Sequence, residues 1–508
     1  MLMHQLLLDG ADRTPDKLCF RWVDRDRTLT YAEAVVQMER MAGALHHLGV
    51  RKGDRVGLFA HNGMDYLAAM LGAWRLGAIA ALVNVKFADE LEYYWGDHEP
   101  KVVVYTHDML PAVARARAAC PSVEHIVCMD GPQEGAHSLP ELMAAALPPP
   151  PDPWDERATA HLSYTSGTTG KPKGACLAHE PTVTAARCIG ERLRIGPADA
   201  SFGPTALSSS YQLVANLLPP LARMATINVM GRWTQATGWD AIDRTGATVF
   251  VGNPTVLDEI LVESRARGRS PGRIRLALTG GGPLPPTLKA AWRDELGLPI
   301  VESYGQSELG GFVALGFPEL VPPGADLVRI GPALPDKEVR IVGPDDRPLP
   351  LGEVGDIVLR GGFMAGYWGK PEKTAEATRG GWLRTGDLGV MDADGFVTLR
   401  SRKAELLTVA GVDWYPRDVE EALCRQPGIR QAALIGLAHP DLGQTPTAFV
   451  TLHPGAAVDP ATLAAAIRPE VPYDLAPLVV KAVPELPMTP TGKISKGDLA
   501  ALVAAGRI

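Results

Sequence analysis

The stretch Tyr164–Gly174, YTSGTTGKPKG, concentrates more anion-handling groups than any other part of the chain. Gly167 and Gly170 permit unusual dihedrals and close backbone approach to a ligand. Ser166, Thr168 and Thr169 supply hydroxyls, while Lys171 and Lys173 supply positive charge. Phosphate oxygens reward converging donors of this kind with charge-assisted hydrogen bonds. The loop is not of the Walker type, because that pattern places Ser or Thr after its lysine and Pro172 follows Lys171. On composition alone, a flexible surface turn competes with the phosphate reading. The remaining candidates stand singly: Tyr304, Glu308, Asp387, Arg402 and, in PMTPTGK near the end, Lys493. Taken alone, the glutamate and the lysines read as solvated surface groups and the tyrosine as core.

Elements must hold these residues in place. Thr30 with Glu33 three places on has the spacing of a capping box, and apolar positions at helical intervals follow to Leu48. DRVGLFA (54–60), AIAALVNV (78–85) and KVVVYT (101–106) read as strands around a helix at 66–76 and a helical patch from 90. Unbroken apolar strands alternating with helices predict a parallel α/β sheet covered on both faces. PPPPDPW (148–154) interrupts the pattern as an exposed connector. A second α/β run follows: strand 161–166, helix 180–193, apolar 211–230, and strands 247–251 and 275–280. From about 330, short β-like stretches at 339–343, 355–360 and 395–400 predict a small barrel-like subdomain. Past Ser401 the pattern predicts a small α+β domain: helix 416–424, strands 432–437 and 447–452, helix 461–467, and a mobile proline-rich tail.

Composition bounds the answer. The 508 residues predict two to four domains, and 46% hydrophobic with 21% charged content excludes a mainly disordered chain. Fifty Lys and Arg against 58 Asp and Glu give a net charge of −8, which offers no general pull on nucleic acid. Six scattered cysteines form no CxxC pair and read as reduced, packed thiols. No secretory leader or transmembrane segment is expected, which predicts a cytoplasmic protein. Nothing in the pattern decides between a monomer and a homodimer.

The loop resembles the signature of the adenylate-forming superfamily: acyl-CoA synthetases, adenylation domains of nonribosomal peptide synthetases and luciferases. The resemblance continues in order over nearly the whole chain, through NPT (253–255), YGQSE (304–308), LRTGDLG (383–389), SRKAE (401–405) and PTGK (490–493). It implies an α/β fold with a large N-terminal domain over residues 1–401, whose β-rich subdomain covers about 330–401. It also implies a hinge at 402–405 containing Ala404, and a small mobile C-terminal domain over 406–508. The chemistry implied is an acid–CoA ligase reaction with ATP, Mg2+ and CoA in two halves. A carboxylate first attacks the α-phosphate and releases pyrophosphate; a thiol then displaces AMP from the acyl-adenylate. Transfer to a carrier-protein pantetheine is the alternative, and a silent nucleotide-binding homologue the third reading.

Carried over position by position, the resemblance gives Lys493, Thr165 and Glu308 catalytic roles, with Glu308 also the magnesium ligand. Nucleotide contacts fall on Thr165, Ser166, Gly167, Thr168, Thr169, Gly170, Lys173, Gly281, Gly282, Pro283, Tyr304, Gly305, Ser307, Asp387, Arg402 and Lys493. Tyr304 is expected against adenine, and Asp387 on both ribose hydroxyls. The acyl pocket is expected at Ser209, Tyr211, Asn253, Gly281, Gly310 and Gly311, with Leu213 and Val214 as apolar wall, and the CoA channel at Gly411. Ala404, Thr408, Ala410, Asp413 and Ser209 depart from common family residues. The expected acid is medium or long-chain, or aromatic, and no pocket arginine stands out to announce a dicarboxylate.

Overall fold

The computed structural model describes residues 1–165, 171–325, 327–453, 455–489 and 493–508. Two large sheets form the body of the chain. One runs in the order His137–Ser138, His125–Cys128, Val102–Tyr105, Arg55–Phe59, Ile79–Leu82, Thr159–Tyr164, Gly174–Ala178, all parallel except the last pair. The other runs Ala314–Leu315, Ile300–Tyr304, Leu276–Thr279, Val249–Val251, Ala200–Gly203, Thr226–Val229, Leu18–Trp22, Arg27–Thr30, with only its outer pairs antiparallel. Successive strand residues point to opposite faces, and the sequence uses this to fill two layers at once. Val102 and Val104 enter the central core, while Val103 and Tyr105 pack outward beneath the helices Leu91–His98 and Leu110–Ala119. In the second sheet Val249 and Val251 face the same central core and Phe250 faces the outer helices Gln235–Thr245 and Pro254–Arg267.

The helices Tyr31–His47, Met64–Arg75 and His179–Arg192 fill the central layer between the sheets. Thr30 caps the first of these with the expected box: its side chain accepts from Glu33 N and Glu33 bonds back to Thr30 N. Gly72 makes the helix contact possible, because a Cβ there would lie 2.6 Å from Met41 Cγ. The β-rich subdomain is a six-stranded antiparallel sheet from Gly331–Pro332 to Phe396–Arg402. The connector 148–154 has no regular structure and leaves Trp154 54% exposed.

The small domain is a three-stranded sheet, Ile429–His439, Gly443–Leu452 and Val479–Ala482, with the helices Pro416–Cys424, Pro460–Ile467 and Lys496–Ala504. Here too alternation splits the faces: Leu434 and Val450 join one core, and Ile435 and Phe449 the other. The proline-rich tail carries regular structure. It adds a parallel strand, Thr447 pairing with Val479, and ends in a helix capped by Ser495, which packs Leu499 onto Phe449's face of the sheet. No helix among the described residues is long and apolar enough to cross a membrane.

Candidate active site

Parallel strands end their ladders together, and the loops beyond their carboxyl ends leave a crevice. In this chain the two sheets open one shared cavity of about 660 Å3. Its walls are the segments just past strand ends: 60–62, 83–87, 204–211, 231–233, 253–256, 280–282 and 305–307, with Tyr164 and Thr165. Lys493 enters from the small domain and completes the lining. A Cβ on Gly281 would sit 3.7 Å from Lys493 Cε, so the lysine stem lies on bare backbone.

Lys493 is held by its own turn, since its amide donates to Thr489 Oγ1 at 3.1 Å and its carbonyl accepts from Thr489 N at 2.7 Å. Burial and the repulsion of Arg402 lower its pKa to about 8, against the pull of Asp387 and Glu308. The phosphate-type loop is anchored at both ends. Thr165 N donates to Lys173 O at 3.0 Å, and Lys173 N returns to Thr165 Oγ1 at 3.1 Å. Tyr164 donates to Asp97 Oδ2 at 2.9 Å and contacts His98 Nδ1 at 3.0 Å. Burial, aided by Arg55, pushes His98 down to about 3, so that imidazole is neutral. Tyr93 donates to Pro172 O at 2.5 Å, and Lys370 pairs with Asp97. Ser166 to Gly170 lie outside the described residues.

Behind the wall, Asp387 is buried, and its Oδ2 accepts from Tyr304 OH at 2.7 Å and Gln306 Nε2 at 2.8 Å. Its Oδ1 lies 3.6 Å from Arg402 Nε and is the oxygen with room for a further donor. Burial raises the Asp387 pKa, and Arg402 offsets part of that rise. Glu308 Oε1 accepts from Tyr367 OH at 2.8 Å. That leaves the second oxygen for a hard cation, a fit for magnesium. No three His, Cys, Asp or Glu side chains among the described residues converge to hold a metal, so its other ligands would be nucleotide oxygens and water.

Ser209, Tyr211, Asn253, Gly281, Gly282, Gly305, Ser307, Gly311 and Val214 line the cavity, as does Thr165. Tyr211 OH is fixed on Leu278 O at 3.1 Å, and Asn253 Oδ1 accepts from Val256 N at 3.0 Å as a helix cap. Four further expected residues stand outside the cavity lining. Gly310 turns away, with φ +55° and Thr182 Oγ1 2.7 Å from where its Cβ would stand. Pro283 is exposed, and Leu213 belongs to the central core. Tyr304 also packs in that core rather than lining the cavity, its hydroxyl committed to Asp387. An arginine is present after all: Arg232, with Lys86, forms an exposed part of the lining. Gly411 stands with φ +80° at the tip between Leu407–Val409 and Val412–Trp414, and Ala404 is exposed in the turn Lys403–Glu405.

Several contributors have no local signature, among them Asn62, Asp97, Tyr367 and Lys370. Asn62 donates to Thr205 O at 2.9 Å and Met230 O at 3.0 Å and accepts from Leu207 N at 2.7 Å, fastening two cavity loops from the opposite sheet. The usable signal is positional: Asn62 lies just beyond the end of a parallel strand.

The AMP-binding enzyme pattern matches residues 7–368, and the AMP-binding enzyme C-terminal domain matches 418–493. The chain belongs to this family of adenylate-forming enzymes. Sulfoacetate–CoA ligase from Cupriavidus necator is 31% identical over 97% of this chain and 96% of that one. An anthranilate CoA ligase solved with anthranoyl-AMP superposes with TM-score 0.91 at 26% identity, covering 100% of this chain and 98% of that one. ATP-bound MatB from Rhodopseudomonas palustris gives TM-score 0.88 and the apo form of the same enzyme 0.80, each 27% identical with full coverage of both chains. Within the family the chain groups with the acid–CoA ligases, and it is an ATP-dependent enzyme of that kind.

Proposed function

We propose that this ligase couples CoA to a medium or long-chain acyl, or aromatic, carboxylic acid through an acyl-adenylate. The observation that carries the reading is that Lys493, Thr165 and Gly281 share one cavity with an aromatic-rich wall that includes Phe87, Tyr94, Tyr211, Trp233 and Phe312. A rigid aromatic wall accommodates a large acyl group, and each buried methylene adds about 0.8 kcal/mol.

In the first half-reaction the carboxylate attacks the α-phosphate. The loop ending at Lys173 holds the phosphates, and the Lys493 ammonium offsets charge moving onto pyrophosphate. Asp387 Oδ1 and Arg402 take the ribose, Gly281 and Gly282 give the adenine a flat approach, and Glu308 holds magnesium, which supplies charge neutralisation at the phosphates. In the second half the hinge around Ala404 turns the small domain, bringing the hairpin at Gly411 to the thiol's path, and the CoA thiol displaces AMP. Reduced cysteines and CoA use accord with a cytoplasmic setting.

The test is acid-dependent pyrophosphate release across a panel of aliphatic, aromatic and dianionic acids, with CoA consumption and product mass measured together. Acyl-CoA and pyrophosphate in equal yield support the reading. Pyrophosphate without CoA consumption moves the acceptor to a carrier pantetheine, and no stimulation by any acid rejects the function.

A further inference from the structure

The seam between the domains holds a buried charge cluster that the cavity chemistry leaves unused. Glu302 lies on the strand Ile300–Tyr304, two residues before Tyr304, and is 4% exposed. Two cations face it. Lys289, on Pro286–Ala291 of the large domain, places Nζ 3.8 Å from Oε2, and Arg417, in the first turn of Pro416–Cys424 of the small domain, places Nη2 3.6 Å from Oε1. Arg417 also pairs through Nε with Glu421, one turn along its own helix. Asp418 of that helix meets Arg400 of the large domain at 2.8 Å. Desolvating so many charges makes such a cluster a poor source of stability, but its directional demands can specify one arrangement over others.

The same helix grips the segment that carries the catalytic lysine. Glu420 Oε1 lies 2.7 Å from Lys496 Nζ, which also pairs with Glu405 at 2.9 Å. Glu420 is itself held, accepting from Leu434 N at 2.8 Å. Lys496 opens the terminal helix three residues after Lys493. A continuous set of contacts therefore runs from Glu302 through Arg417, the helix, Glu420 and Lys496 to the lysine in the cavity.

We propose that Arg417 is a positioning residue: its pair with Glu302 seats Pro416–Cys424 on the large domain, and Glu420–Lys496 then sets how far Lys493 reaches into the cavity. The proposal rests on the ligase reading, since it assigns Arg417 a part only in the half-reaction that needs Lys493 at the phosphate.

The test uses the full chain with Glu302→Gln, Arg417→Met, the double variant and Lys496→Met. Two rates are measured, acid-dependent pyrophosphate release and CoA thioester formation from supplied acyl-adenylate, alongside thermal melting. The expected result is that each single variant lowers the first rate relative to the second by about tenfold, and that the double variant is no worse than the more affected single, the mark of one shared interaction. A pair that merely stabilises the fold would lower the melting temperature and leave the ratio of rates unchanged, which overturns the proposal; so do additive effects. Should Arg417→Met fail to fold, the ratio of rates is read on Arg417→Lys and Glu302→Gln instead, with partial retention expected for the lysine and the full loss for Glu302→Gln. Wild-type enzyme without acid-dependent pyrophosphate release would remove the ligase reading and this proposal with it. Wild-type turnover with an unchanged ratio in the variants removes only the positioning role.

Discussion

Raising the pH across the range where Lys493 loses its proton should abolish adenylation well before an ordinary lysine would titrate. The side chain lies on Gly281 inside the cavity, and burial and Arg402 bring its pKa from 10.5 to about 8. The sign follows from the charge: below about 8 the ammonium is present and can offset charge on the leaving pyrophosphate, and above it the amine is neutral. One unit above the pKa only about one molecule in eleven keeps the charge, so kcat/KM for ATP should fall roughly tenfold per pH unit beyond that point. The shift corresponds to about 3 kcal/mol of penalty on the charged form. Bound phosphates restore part of it, so the fall in kcat, which reports the enzyme–substrate complex, should lie at higher pH than the fall in kcat/KM. Neighbours provide the control. Arg402→Gln removes a repelling charge and should move the descending limb up, whereas Asp387→Asn removes an attracting one and should move it down, whatever either does to the plateau. The assay is pyrophosphate release with a saturating acid that stays ionised throughout. A kcat/KM that stays level to about pH 10, or an Arg402→Gln limb displaced downward, would refute the charge argument.

Three further outcomes follow from the geometry. Lys493→Ala should cut acid-dependent pyrophosphate release by about a hundredfold or more, while thioester formation from supplied acyl-adenylate stays within a few-fold of wild type; equal losses would reject the division of labour. Tyr367→Phe removes the 2.8 Å bond to Glu308 Oε1 but keeps the ring under Lys173, so the magnesium concentration for half-maximal ATP binding, read by calorimetry without acid, should rise several-fold, while the acid KM, read from steady-state pyrophosphate release at saturating magnesium, stays unchanged. Asn62→Leu leaves Thr205 O, Met230 O and Leu207 N without their partner, which should cost roughly 2–5 kcal/mol in denaturant unfolding and raise the KM for the acid more than that for ATP.

The legible parts of this molecule are those decided within a few residues. Thr30 and Glu33 form their reciprocal cap because both partners lie in one turn. Val102–Tyr105 reads as a doubly buried strand because all four side chains are apolar. The terminal strand Val479–Ala482 was hidden because its pairing partner lies some thirty residues earlier, at Thr447–Val450, and nearby prolines mask the pattern. At the site, Lys493 and Glu308 could be named because their motifs are contiguous. Lys370 and Asp97 could not, since 273 residues separate them and only the folded sheet brings them together under Tyr164. Gly310 shows the converse error. Its neighbour Gly311 lines the cavity, but a left-handed φ of +55° turns Gly310 toward Thr182 instead.

The charge distribution of the cavity runs against that of the chain. The whole sequence is acidic by eight charges, yet no carboxylate lines the cavity among the described residues, where Lys86, Arg232 and Lys493 stand with hydroxyls and bare glycine backbone. Asp387 and Glu308 lie behind the wall, each already holding a tyrosine hydroxyl. An acidic surface repels ATP and organic acids in general, whereas a walled cationic cavity focuses the field and draws anions inward. Attraction of this kind is screened over about 8 Å at physiological ionic strength, and a partly enclosed site is screened less than an open one. Association of both substrates should therefore slow with added salt, while the chemical step on the bound complex, governed by Lys493 in its seat, should hardly respond. Salt acting equally on kcat and on kcat/KM would mean that ionic strength shifts the seat of the small domain itself rather than the encounter.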